Sequence, residues 1–138
     1  MDLLFPDEGL VYQLQQILTP GVRYRLFTAP AAITLGQTLA SLTEAAWSGY
    51  VPVLQHWSDY AGLSGVSGHN GFGIAAPISF NNTSAVPVSA YGYYVTDPAG
   101  PPTKLLAIAL FDNPPVNIPA GGSTTVVPTW GDFSFLAS

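Results

Sequence analysis

The period of the apolar positions changes several times along the chain, and each change marks an element. Leu10, Val11, Leu14, Ile17 and Leu18 recur at helical spacing behind a first turn holding Pro6, Asp7 and Glu8, and Thr19-Pro20-Gly21 follows. Proline and acids suit a helix N-terminus and Pro-Gly ends a helix, so Pro6 to Leu18 predicts a short amphipathic helix. Its apolar stripe, which includes Leu10 and Leu14, either packs on its own domain or docks on a neighbouring subunit. From Val22 to Thr28 the period drops to two, with Val22, Tyr24 and Leu26 alternating against Arg23 and Arg25. This predicts a strand with one apolar and one wet face. The two arginines suit either a solvated edge that discourages mispairing or a salt-bridge contact with an acidic neighbour.

Leu39 to Trp47 carries Leu39, Leu42, Glu44, Ala45 and Ala46, which fits one or two helical turns. Ser48-Gly49 breaks it, and Tyr50 to Trp57 resumes extended chain, placed near a sheet edge by Pro52. Ser58 to Gly71 is rich in Gly, Ser, Asp and Asn and reads as a surface loop. Gly73 to Phe80 is expected as one strand, closed by the turn residues Asn81-Asn82-Thr83-Ser84.

Ala85 to Phe111 forms the longest pattern, a hairpin whose arms are rich in β-branched and aromatic residues around the turn Asp97-Pro98-Ala99-Gly100-Pro101-Pro102. In its second arm Leu105, Ala107, Ala109 and Phe111 face one way and Leu106, Ile108 and Leu110 the other, so both faces are apolar. Such a strand is expected at the centre of a sandwich or under another subunit. Asn113-Pro114-Pro115 turns the chain, Val116 to Pro119 is short and extended, Ala120 to Ser123 turns again, and Thr124 to Pro128 leads to a last strand expected at Asp132 to Leu136. Short strands joined by Gly/Pro turns predict an all-β antiparallel sandwich, jelly-roll or immunoglobulin-like, with a short N-terminal helix. The organisation is a helical segment over 1–21 and a single sandwich domain over 22–138.

Composition sharpens this picture. The 138 residues suffice for one core, yet only 8% are charged, against roughly 25% in an average soluble domain, and mean hydropathy is +0.32. A chain so poor in charge is expected to bury outer surface against copies of itself or other partners. Net charge is −5 and Arg23, Arg25 and Lys104 are its only fixed cations, which argues against binding a phosphate backbone and so against a nucleic-acid partner. The longest apolar run, Leu105 to Phe111, is too short for a membrane helix. Acids at Asp2, Asp7 and Glu8 stand where a secretory signal needs cations, so synthesis in a cytoplasm is expected. With no cysteine, disulfides, thiolate metal sites and cysteine nucleophiles are excluded together.

The candidates for chemistry are few. His56 with Asp59, and His69, do not reproduce a metal-ligand spacing. Ser64 and Ser67 lack the final glycine of a nucleophile elbow, and Gly68 to Gly73 has glycines but no lysine and precedes a strand where a phosphate loop needs a helix. The carboxylates are dispersed, which gives no support to glycosidase chemistry. Tyr91, Tyr93 and Tyr94, with Trp47, Trp57 and Trp130, could stack on sugars, or could belong to a core or a subunit interface. No catalytic residue, metal or cofactor is therefore expected, and the candidate functional surface is an interface: Leu10, Leu14, Arg23, Arg25, Leu106, Ile108 and Leu110.

Four stretches taken together are similar to a known group: Arg25-Leu26-Phe27 after an initial helix, Leu42 to Tyr50, Ala90 to Asp97, and Ile118 to Pro128. Their order and spacing resemble small structural proteins of tailed bacteriophages encoded near head and tail genes. The resemblance implies a non-enzymatic virion component made in the host bacterial cytoplasm, most often a capsid decoration or stabilising protein, with a tail, neck or fibre component as the alternative. It implies contact with the major capsid protein and self-association, a trimer being suggested by decorations at three-fold positions. A carbohydrate-binding module is the alternative of another class.

Overall fold

The computed structural model describes residue 12, residues 15–61 and residues 73–130. Its strands run in the order β1 (Val22–Phe27), β2 (Val53–Gln55), β3 (Tyr60–Ala61), β4 (Gly73–Ala75), β5 (Ile78–Asn81), β6 (Val88–Ala90), β7 (Gly92–Thr96), β8 (Leu105–Leu110), β9 (Val116–Ile118), β10 (Ser123–Val126) and β11 (Thr129–Trp130), with single 3-10 turns at Leu39–Ser41 and Trp57–Asp59. The protein is all-β, with antiparallel sheets and little helix.

The chain divides into two compact units, one of residues 22–54 and 79–125, the other of the described parts of 1–21, 55–78 and 126–138. The first contains a four-stranded sheet in the order β2-β1-β7-β8 and the pairs β10-β5 and β6-β9. The second contains β11-β4-β3, with Thr129 opposite Ile74 and Tyr60 opposite Ala75. Tyr12 and residues 15–18 are helical and Leu18 is buried; the rest of the expected helix, with Leu10 and Leu14, lies outside the described residues. So do most of the Ser58 to Gly71 loop and the strand expected at Asp132 to Leu136.

Of the hairpin expected at Ala85 to Phe111, the part from Gly92 forms as β7 and β8, with Gly92 opposite Leu110, Tyr94 opposite Ile108 and a bulge where the register shifts beside Thr96, whereas the start of the first arm, Val88–Ala90, is the separate strand β6, paired with β9. Gly92 sits inside a strand because its neighbours leave no room for a side chain: a Cβ there would collide with the Ala109 carbonyl and come within 2.8 Å of the Phe27 ring. Among the described residues β8 is not central, as one reading of its two apolar faces required, but an edge strand with β7 as its partner. The inner strands are β1 and β7, and β1 buries Val22, Tyr24 and Leu26 on one face and Arg25 and Phe27 on the other. Period two was therefore right for β1, but its second face is not wet.

Three smaller expectations also change. Gly73 to Phe80 is two strands, β4 and β5, because Pro77 cannot donate to a ladder. Leu39 to Trp47 forms one 3-10 turn and then runs extended, so that Glu44 makes an antiparallel bridge with Phe27, held by Ala45 N–H to Leu26 C=O at 3.0 Å and Thr28 N–H to Thr43 C=O at 2.9 Å. Ser58 to Gly71 opens with the 3-10 turn Trp57–Asp59 and the strand β3 before leaving the described residues.

Two short side chains organise the loops. Asn82 is fully buried, and its amide nitrogen donates to the carbonyls of Val86, Ile118 and Pro119 at 2.9, 3.2 and 3.2 Å while its Oδ1 accepts from the Ser84 N–H and hydroxyl. At the tip of the β7–β8 hairpin, the Asp97 carboxylate accepts from Thr103 N–H, Thr103 Oγ1 and Lys104 N–H at 2.8, 2.6 and 2.9 Å, closing the Pro-rich loop. The Thr103 hydroxyl and the Lys104 amide hold its carboxyl down to about 2. Because the folded value lies below the unfolded one, this carboxylate stabilises the fold above about 3.8, and the contribution disappears as pH falls toward about 2. Urea unfolding of Asp97→Ala should accordingly show a deficit against the parent at pH 6 that closes by pH 2; a deficit independent of pH would mean that the loop is not held by the charge.

Candidate assembly interface

β8 reads Leu-Leu-Ala-Ile-Ala-Leu, without a charge, a hydroxyl or a proline. A strand at a sheet edge presents a row of unpaired backbone groups, which natural proteins normally guard with a charge, a proline or brevity. The opposite edge of the same sheet, β2, is guarded in this way, with three residues directly after Pro52. β8 is twice as long, and its guards are confined to its start: the bulge beside Thr96 and the adjoining Lys104. Leu106 is 38% and Leu110 43% exposed, while Ile108 is half-buried opposite Tyr94. Three of the expected interface residues thus lie together on one edge strand.

The two arginines behave differently. Arg25 is buried and its guanidinium is bound within the chain: Nε donates to Thr96 Oγ1 at 3.0 Å, and Nη1 donates to Glu44 Oε1 and Oε2 at 3.1 and 2.9 Å. The reading of Arg25 as a solvated edge charge is corrected by this burial, since its acidic neighbour belongs to the same chain. Arg23 is half-buried and its Nε donates to the Pro98 carbonyl at 3.1 Å, which ties β1 to the hairpin loop.

Around Arg25 the polar groups form a closed chain. The Thr96 hydroxyl donates to the Asp97 carbonyl at 2.9 Å, the Tyr50 hydroxyl donates to Glu44 Oε2 at 2.8 Å, and that hydroxyl accepts from Leu26 N–H at 3.1 Å. Tyr50 thereby fills the place of a strand partner for Leu26 beside the Glu44 bridge. Burial first, and the Glu44 carboxylate after it, push the Tyr50 hydroxyl far above the ordinary phenol range. Burial and the same carboxylate push Tyr94 up to about 12. Both phenols stay protonated at neutral pH, and this cluster cross-links the 43–45 segment, β1 and β7.

The remaining sequence candidates have structural partners. Asp59 Oδ2 accepts from the His56 backbone N–H at 2.7 Å and lies 3.9 Å from its imidazole, capping the turn between them. No group of three metal-ligating side chains occurs among the described residues, and His69, Ser64 and Ser67 lie outside them. Of the aromatics that could stack on a sugar, Tyr94 is buried against Phe27, Tyr93 packs with Tyr24 and Phe111, and Trp47 stands edge-on to Tyr50 while donating from Nε1 to the Asn81 carbonyl at 2.8 Å. These three rings are engaged in packing.

Sequence reasoning missed Glu44, Tyr50 and Thr96 as partners of Arg25. The available signal was composition: in a chain with three fixed cations and eight acids, an Arg flanked by Tyr24 and Leu26 within a strand is more easily buried with a partner than left wet. Compared with family models, curated proteins and solved structures, the chain matches none.

Proposed function

We propose that this chain is a non-enzymatic structural protein of a tailed-bacteriophage virion, one that decorates or stabilises the capsid and assembles through apolar surface. The observation that carries the reading is β8, an uncharged six-residue edge strand with Leu106 and Leu110 exposed, in a chain of which only 8% is charged. A free monomer gains nothing from such an edge, whereas a subunit of an assembly can extend its sheet through it. The closed polar cluster at Arg25 and the capped turn at His56 support a scaffold role, because their donors and acceptors are engaged within the chain. The burial of both faces of β1 supports an antiparallel sandwich arrangement.

The test is removal and re-addition. Particles lacking the chain should lose heads on heating or at low ionic strength, and the purified protein should bind those particles saturably and restore them. Unchanged composition and stability of the depleted heads would refute the capsid reading, and labelled protein seen on tails alone would move it to the tail or neck.

A further inference from the structure

We propose that β8 is the contact through which two copies of this chain join, edge to edge and antiparallel, about a two-fold axis passing beside Ile108. The proposal deepens the assembly reading above, on which it rests only for self-association. The backbone supplies the first argument. Phe111 N–H donates to the Tyr91 carbonyl, and Ala109 and Ala107 stand opposite Tyr93 and Val95. In an antiparallel ladder alternate residues turn their N–H and C=O to opposite sides, so Ile108 and Leu110 direct theirs to the open edge.

The strand is also self-complementary. In an isologous contact every pairing occurs twice. With Ile108 opposite Ile108 of the second copy, Leu110 comes over the end of β8 where the bulge leaves Leu106 as the extra residue, so the two most exposed apolar side chains of the strand meet. The same register brings Lys104, just before the strand, to the end where Asp112 of the second copy follows it. Both residues are exposed, and the Lys104 ammonium makes no ion pair among the described residues. One shift of register would lose both matches. The result is one eight-stranded sheet running through two copies, with both unguarded edges closed and the guarded β2 edges outermost. A self-complementary edge of this kind favours a two-fold contact over the three-fold one suggested by resemblance.

Charge reversal tests the register without touching the core. The parent should sediment as a concentration-dependent dimer. Lys104→Glu and Asp112→Lys each place like charges at both ends of the contact, and each should weaken dimerisation about tenfold at low salt, less at high salt. The double variant Lys104→Glu/Asp112→Lys should return it to near the parent value. The Ile108 amide should also exchange more slowly as protein concentration rises. Self-association indifferent to all three variants would overturn this register while leaving assembly standing; a parent that stays monomeric at high micromolar concentration would overturn both.

Discussion

Replacing Glu44 with alanine should lower the stability of the β1–β7 sheet by about 3 kcal/mol in urea unfolding. The loss follows from what remains: a guanidinium with 8% of its side chain exposed keeps its bond to Thr96 but loses both carboxylate oxygens, and the Tyr50 hydroxyl loses its acceptor. Breaking a buried pair by removing one partner generally costs 3–5 kcal/mol. The lower end applies here because the Glu44 side chain is 32% exposed, so water can reach part of the vacated site. Glu44→Gln retains one acceptor oxygen and should fall between. The combined change Arg25→Met and Glu44→Leu should be much less harmful than Glu44→Ala, because no unpaired charge is left behind. A cost below about 1 kcal/mol for Glu44→Ala would mean that Arg25 swings out to solvent, and the closed cluster would not describe the protein in solution.

Asn82→Asp should be of similar size, at about 3–4 kcal/mol near neutral pH. The shape is unchanged, but an oxygen now faces the carbonyls of Val86, Ile118 and Pro119, where the amide nitrogen donated to all three. Of the three, the carbonyl of buried Ile118 is the one for which losing a donor costs most, roughly 1–3 kcal/mol, and the new charge has no water around it. Burial and the facing carbonyls raise the folded pKa of such a carboxyl above its unfolded value, because only the protonated form can donate. The sign follows: the variant's deficit is full at neutral pH and shrinks as pH falls through that raised value. Asn82→Ala, which cannot titrate, should show a deficit without this pH dependence. Parallel pH profiles for the two variants would count against the hydrogen-bond account of Asn82.

What could be read from the sequence was local. The β7–β8 hairpin was legible because Tyr93, Tyr94 and Val95, the Pro/Gly turn and the apolar run at Leu105 to Leu110 each favour the same outcome over a few residues. The Pro52 signal for an edge was legible for the same reason, since a missing N–H acts at its own position. Sheet order was not legible, because nothing in β8 says whether a second strand lies beyond it; two apolar faces suit a centre, a covered face or an open edge used for pairing. Arg25 was misread because alternation reports which residues share a face, not what covers it, and its carboxylate partner arrives from 19 residues away. Asn82 looked like ordinary turn chemistry since its Ser84 bonds are local, while two of the carbonyls that make it structural lie 36 and 37 residues further on.

The way Asn82 is held also sets how the protein ages. Spontaneous deamidation of asparagine needs the next backbone nitrogen to attack the side-chain carbonyl carbon and expel the amide nitrogen as ammonia. Here the Thr83 N–H is donated to the Ser48 carbonyl at 2.9 Å, and the amide to be expelled is clamped by three carbonyls. Folding therefore shields Asn82 from the reaction, whereas the unfolded chain exposes it. The cyclic imide so formed is opened by water, so a molecule that unfolds and reacts carries aspartate or isoaspartate where the fold needs a donor; it cannot fully recover at neutral pH, and each excursion adds to a permanently damaged fraction. Repeated mild heating should be recorded as a one-dalton mass increase at this position, accumulating in proportion to time spent unfolded and not to total storage time.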